Sequence, residues 1–190
     1  MKKNFLIAVW FTLVTTLMFG FIYPLGITGL AQVFFRDRAN GQLITKDGKL
    51  VGSRIIGQAF TGPVYFQSRP SNAGTGYDPT SSGGSNLAPT NKNLLDRVKG
   101  DVQKLQRENP DAPIPVDLVT ASGSGLDPDI SPAAAEFQIP RVAHSRSMKE
   151  EDVRTLVQRH TKGRDLGFLG EPRVNVLELN LDLDSLHNTR

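Results

Sequence analysis

Residues 5–22 read FLIAVWFTLVTTLMFGFI, apolar on every helical face, with three threonines as the only polar side chains. A helix that packs one side on a core keeps a polar stripe, so a run like this belongs in lipid. Extended to Ile27, the helix is about 34 Å long at ~1.5 Å per residue, enough for a ~30 Å hydrocarbon core with some tilt. Pro24 removes a backbone donor and disfavours helical geometry at Tyr23, which predicts a kink or exit with Tyr23 at the interface. Beyond it Ile27, Leu30 and Phe34 keep helical spacing, so the helix can resume. Lys2 and Lys3 with the small-x-small site Gly29-Leu30-Ala31 allow a cleaved signal peptide instead. The apolar run exceeds the ~7–15 residues of such a region, and a retained anchor is the expectation. Two lysines before the span nearly balance Arg36 and Arg38 after it, so charge counting leaves the side of the following domain open.

Residues 4–35 carry no charge, and all 19 acids lie between Asp37 and Asp184. Lys2 and Lys3 supply two of the formal +3. The rest of the chain is nearly neutral, a poor counterion for nucleic acid, and no nucleic-acid partner is expected. With no cysteine, disulfide scaffolds, cysteine-ligated metals and cysteine nucleophiles are excluded.

The reading outward is an N-terminal span and stem over 1–35, then one mixed α+β domain over 36–190. Asp47-Gly48 between Leu43-Ile44 and Leu50-Val51 signals a β-hairpin, and Ile55, Ile56 and Phe60 suggest buried chain. Residues 61–91 are rich in Gly, Pro, Ser and Asn and cannot form long regular elements; a stretch of that length in a compact domain is usually functional loop or linker. Leu94, Leu95, Val98, Val102 and Leu105 predict a helix ending at Asn109-Pro110. Residues 116–120 read as a short strand. Ser131 followed by Pro132 is an N-cap and first helical position, for a helix interrupted at Pro140. Ser147 with Glu150 forms a capping-box pattern ahead of Val153, Leu156, Val157 and His160, and Gly163 closes that helix. Leu177, Leu179, Leu181 and Leu183 alternate with Glu178, Asn180, Asp182 and Asp184, which predicts a strand with one wet face.

Motifs for chemistry are sparse. The glycines of 52–57 have phosphate-loop spacing, but Gln58 and Ala59 stand where Lys and Ser or Thr belong. His144, His160 and His187 show no metal-ligand spacing. Asp127 and Asp129 flank Pro128 before a helix start, where capping and turn formation compete with acid–base use. Ser122 and Ser124 lack a nucleophile elbow. Gln138, Arg141 and Arg146 lie in or near a helical stretch and are candidates to face a partner.

The longer strings resemble the C subunit of Kdp-type potassium-transporting ATPases. The resemblance runs from Tyr23-Pro24-Leu25 through Gln32, Ala39-Asn40-Gly41, Val51-Gly52-Ser53, Ile56-Gly57-Gln58, Tyr65-Phe66 and Arg69-Pro70-Ser71. It continues with Ser82-Gly83-Gly84-Ser85-Asn86-Leu87 and Pro115-Val116-Asp117. It is densest in Thr120-Ala121-Ser122-Gly123-Ser124-Gly125-Leu126-Asp127-Pro128 and Ile130-Ser131-Pro132-Ala133-Ala134. Gln138, Arg141-Val142-Ala143, Gly170-Glu171-Pro172 and Val174-Asn175-Val176-Leu177 complete it. Residues 101–112 and the tail after Asp184 carry little of it.

The resemblance implies a non-catalytic accessory subunit of a high-affinity, ATP-driven potassium uptake complex in a bacterial inner membrane. Its partners would be a channel-like subunit that carries potassium and a P-type subunit that hydrolyses ATP, with the lipid bilayer around the span and no cofactor of its own. Two accounts of its action follow. In one it is a catalytic chaperone that raises the ATP affinity of the hydrolysing subunit, with Gln138 or the loop Ser82, Gly83, Gly84, Ser85, Asn86 near nucleotide. In the other the amino terminus is cytoplasmic and the domain lies on the outer face beside the potassium entrance; an effect on ATP affinity is then a shift between pump states. Candidate partner-binding residues are Ser82 to Asn86, Asp127, Gln138, Arg141 and Arg146. Asp117 and Asn175 are expected to hold the fold by bonding backbone. The alternatives are a membrane-anchored extracytoplasmic hydrolase using Asp127 or Ser124, and a binding module released by cleavage after Ala31.

Overall fold

In the computed structural model, residues 1–187 are described, the side chain of His187 excepted. The chain divides into two compact units, Met1–Leu43 and Ile44–Arg190.

The first unit is dominated by one continuous helical run, Lys2–Phe34, the only helix among the described residues long and apolar enough to cross a membrane. At ~1.5 Å per residue it reaches about 50 Å, longer than a ~30 Å core requires. It comprises α1 (Lys2–Leu17), a wide π turn over Met18–Ile22, and α2 (Tyr23–Phe34). Pro24 therefore causes neither an exit nor a break. The π turn, in which the Tyr23 N–H reaches back to the Met18 carbonyl, widens the ladder just ahead of the residue that cannot donate. A short helix α3 (Arg36–Ala39) follows. The stem is tied by paired amides: Gln32 Nε2 donates to Asn40 Oδ1 (3.1 Å) and Asn40 Nδ2 to Gln32 Oε1 (3.4 Å).

The second unit is α+β, as the pattern of elements predicts. Strands β1 (Leu43–Lys46) and β2 (Lys49–Ser53) form the expected hairpin, with Asp47 and Gly48 both at positive φ, the geometry a two-residue hairpin turn requires. Ile55 and Ile56 lie exposed, not buried; the buried residues here are Ser53 and Gly57. Helix α4 (Lys92–Glu108), capped by Asn91, turns Leu94, Val98, Val102 and Leu105 inward and leaves Leu95 out. Residues 116–118 form a 3-10 turn, not a strand: Pro115 starts it, and the Asp117 carboxylate accepts from Ser131 N (2.7 Å) and Ser131 Oγ (3.1 Å), fixing the turn to the next helix.

That helix, α5 (Pro132–Arg146), has the expected Ser131 cap but runs through Pro140. The carbonyl that Pro140 leaves without a donor belongs to Glu136, an exposed residue where water can replace the lost bond. Ser147 ends α5 in a left-handed conformation, so the capping box does not form; α6 (Glu150–His160) begins after Lys149 without a side-chain cap. It stops at His160, ahead of Gly163.

A three-stranded antiparallel sheet completes the unit, in the order β3 (Asp129–Ile130), β5 (Arg173–Asn175), β4 (Thr161–Lys162). Its register pairs Ile130 and Thr161 with Val174. The predicted C-terminal strand is helix α7 (Val176–His187). Asn175 Oδ1 accepts the Glu178 N–H (3.1 Å) and starts it. Val176, Leu179, Asn180 and Leu183 line its core face, a spacing of i, i+3, i+4 and i+7 that the alternating leucines disguise, and Leu177 is buried beside them. The core is the packing of α5, α6, α7 and the sheet around Ile139, Val142, Val153, Val174, Leu179 and Leu183. Each buried aliphatic side chain contributes roughly 1.5–3 kcal/mol.

Candidate functional site

The glycine-rich stretch 61–91 contains no helix or strand, yet it is not loose. Phe66 and Ala73 are fully buried. A segment without regular structure leaves backbone N–H and C=O groups unpaired, and burying them without partners is costly. Apart from the Tyr65 N–H, which bonds the Gly62 carbonyl at 3.2 Å, side chains from two helices supply the partners for residues 63–67.

From α7, Asn180 faces Phe66 with both ends of its amide: Phe66 N donates to Asn180 Oδ1 and Asn180 Nδ2 donates to the Phe66 carbonyl, each at 2.9 Å. From α5, Gln138 does the same to the next residue, accepting from Gln67 N (2.7 Å) and donating to the Gln67 carbonyl (3.1 Å). Arg141 donates to the carbonyls of Pro63 (2.6 Å) and Tyr65 (3.0 Å) and to Gln138 Oε1 (2.7 Å), with Glu108 at 3.1 Å from its Nε. Burial pulls the Arg141 guanidinium below its ordinary range, and Glu108 opposes that. Arg146 donates to the carbonyls of Val64 (2.7 Å) and Leu183 (3.2 Å), pairs with Asp184 (2.8 Å), and lies over the Tyr65 ring at 5.0 Å.

Three of the predicted site residues thus converge on one five-residue segment, and none is simply turned to solvent. Gln138 is 2% exposed. Asn180, which the strand reading placed on a wet face, is a fourth member of the cluster. The signal that could have found it was Asn175 with Glu178 three residues on, a helix start that puts Asn180 beside Leu179 and Leu183.

The second cluster joins two Gly/Ser loops. Ser82 Oγ (3.0 Å) and Gly83 N (2.8 Å) both donate to the Ser124 carbonyl. Gly125, at φ +68°, fits because a Cβ there would lie 2.7 Å from Ala73 N and Gly83 O, closer than any side chain tolerates. Gly57, read as part of a failed phosphate loop, has a packing role instead: a Cβ would meet the Asp127 carbonyl oxygen at 2.5 Å. Asn86 is exposed at positive φ, and Ser85 Oγ accepts from Leu87 N.

Asp127 links the clusters, pairing with Arg69 at 2.9 Å while its other oxygen accepts the Asp129 N–H (3.1 Å). Tyr77 OH donates to the Arg69 carbonyl, and burial raises the Tyr77 pKa. Burial also raises that of Asp129 despite the Asn175 amide at 3.1 Å. A cleft of ≈230 Å³ between residues 59–70 and α4 is lined by Gln67, Arg69, Tyr77, Lys104 and Gln138 among others. Among the described residues no group of three or more His, Asp or Glu side chains is placed to hold a metal ion. His160 bonds Asp182 at 2.8 Å, between α6 and α7. Asp117 and Asn175 hold backbone as expected, Asn175 also donating to the Arg54 carbonyl (2.9 Å).

The profile of the family described as K+-transporting ATPase, c chain, matches residues 5–185. A "Potassium-transporting ATPase KdpC subunit" of Koribacter versatilis (strain Ellin345) is 65% identical, covering 97% of this chain and 95% of that protein. One of Methylobacterium nodulans is 57% identical, over 90% and 91% of the two chains. One of Rhodopseudomonas palustris (strain BisB18) is 54% identical, over 97% and 99%. Matched from the apolar span through the core of α7, the chain belongs to the KdpC family of potassium-transporting ATPase subunits.

Proposed function

We propose that this chain is a non-catalytic accessory subunit of a high-affinity, ATP-driven potassium uptake complex. In this reading it joins a channel-like subunit that carries potassium and a P-type subunit that hydrolyses ATP. One span anchors it in a bacterial inner membrane, with the amino terminus cytoplasmic and the domain on the outer face.

The observation that supports a role through contacts is the internal use of the site's polar groups. Gln138, Arg141 and Arg146 are bonded to the backbone of residues 63–67. Asp127, a candidate for hydrolysis, is paired with Arg69, and Ser124 Oγ accepts from Leu126 N (3.1 Å). Groups bonded this way shape a fixed surface and are poorly available to substrate. Gln138, Arg141 and Arg146 then act on partners indirectly, by holding the loop that partners meet, and the exposed Ser82 and Asn86 are the members of the set placed for direct contact.

A domain on the outer face cannot touch cytoplasmic ATP. A chaperone-like rise in ATP affinity then comes from binding one pump state better than another, and the shift cannot exceed that difference in affinity. The test is potassium-stimulated ATPase activity of the two partner subunits, purified in mild detergent with and without this chain. Stimulation that falls at least tenfold without the chain, or that needs higher ATP, is expected. Partners that assemble and respond to potassium normally alone would overturn the reading.

A further inference from the structure

The connection between β4 and β5 does the opposite of the fastened loop. Its backbone satisfies itself: Asp165 N and Leu169 N each exchange a 2.9 Å bond with the other residue's carbonyl, and Phe168 N donates to Asp165 O (3.3 Å). Arg164 grips Glu171 at 2.7 Å and Arg173 reaches Asp165 at 3.2 Å, so the base is clamped. At the tip Leu166 is 84% exposed and Phe168 69%. Leu166 and Gly167 both have positive φ, +53° and +83°. Asn, Asp or Gly is the inexpensive choice at such a position, and a bulky apolar residue there is strained. Two unfavourable features, strain and apolar exposure, thus coincide in one side chain. Beside the finger, Gly170, Glu171 and Pro172 form one wall of a ≈580 Å³ groove whose other walls include Val116, itself 70% exposed.

We propose that this finger, Leu166 and Phe168 at its tip, seats in an apolar pocket on an extramembrane face of another subunit of the potassium-transporting ATPase complex. The inference rests on the accessory-subunit reading. Charge decides for protein over lipid. The nearby cations Lys162, Arg164 and Arg173 are paired with Glu178, Glu171, and Asp129 and Asp165, leaving no basic ring to draw the tip to an anionic bilayer. An apolar centre within a neutralised polar rim is the anatomy of a protein interface, with Phe168 as anchor.

The test uses the full chain co-expressed with the complex's other subunits. A Leu166→Asn, Phe168→Ser variant should retain them at least tenfold less than the wild type, while its own unfolding temperature in detergent stays equal or rises. Equal retention by variant and wild type overturns the finger alone; a wild type that retains no partner overturns the accessory reading with it. A second arm replaces the sole tryptophan, Trp10→Phe, and adds Phe168→Trp as a reporter. Emission should shift blue when the partner subunits are added. Quenching by brominated lipid without partners would instead show the tip in the bilayer and overturn the proposal.

Discussion

Residues 63–67 and 164–169 are both loop segments of one domain, and they solve the same problem in opposite ways. The first has one local backbone bond, from Tyr65 N to the Gly62 carbonyl at 3.2 Å, so Asn180, Gln138, Arg141 and Arg146 supply the other bonds and the segment goes inside, carrying Phe66 into the core. The second bonds to itself across Asp165 and Leu169, needs no help from helices, and leaves its apolar side chains outside. Where side chains serve the backbone, polar residues are structural. Where backbone serves itself, side chains are released for contact.

The comparison breaks most visibly at Asn180. Asn180→Leu keeps the volume but strands Phe66 N–H and C=O in the interior, at about 1–3 kcal/mol for each unsatisfied group. A loss of roughly 2–5 kcal/mol is expected from urea unfolding of the full chain in detergent, and a loss below about 1 kcal/mol would mean the clamp is not what holds the segment. Gln138→Ala removes the second clamp, but the Gln67 groups lie nearer the cleft, where water can reach them; about 1–3 kcal/mol is expected in the same measurement.

A smaller effect distinguishes Asp129. Its pKa is raised in the folded state, chiefly by burial. The folded protein therefore holds that proton more tightly than the unfolded chain, and the contribution to stability falls as pH rises from the ordinary carboxylate value through the raised one. Asp129→Asn should flatten that part of the stability–pH curve, measured by thermal unfolding across mildly acidic pH; an unchanged slope would contradict the assignment. The smallest effect belongs to the finger. Leu166→Asn relieves a strained φ and should change stability by no more than about 0.5–1 kcal/mol, in the stabilising direction. A large destabilisation would show that the tip packs within the domain.

Much of this was legible in residue order. The uncharged run 4–35 marked the span, Asp47-Gly48 the hairpin, Ser131-Pro132 the start of α5, and Val153, Leu156 and Val157 the face of α6. The misreadings share a cause: a local pattern was outweighed by a tertiary bond. Alternating leucines over 177–183 resembled a strand because Asn180, polar by type, is an inward residue bonded to a distant backbone. Pro140 looked like a break, but the carbonyl it leaves without a donor belongs to Glu136, an exposed residue where water can take the bond. For the site, Gln138 and Arg141 were found by resemblance and by helical placement and Arg146 by placement alone, but their inward direction depends on residues more than seventy positions earlier, which no spacing along the chain reveals.

The contrast between the two segments is most directly tested by amide hydrogen exchange of the full chain in detergent, alone and within the assembled complex. The amides of Tyr65, Phe66 and Gln67 should exchange slowly in both states, whereas 164–169 should exchange quickly alone and become protected in the complex. Fast exchange at Phe66 and Gln67 in the free chain, or a finger equally exposed in the complex, would contradict it.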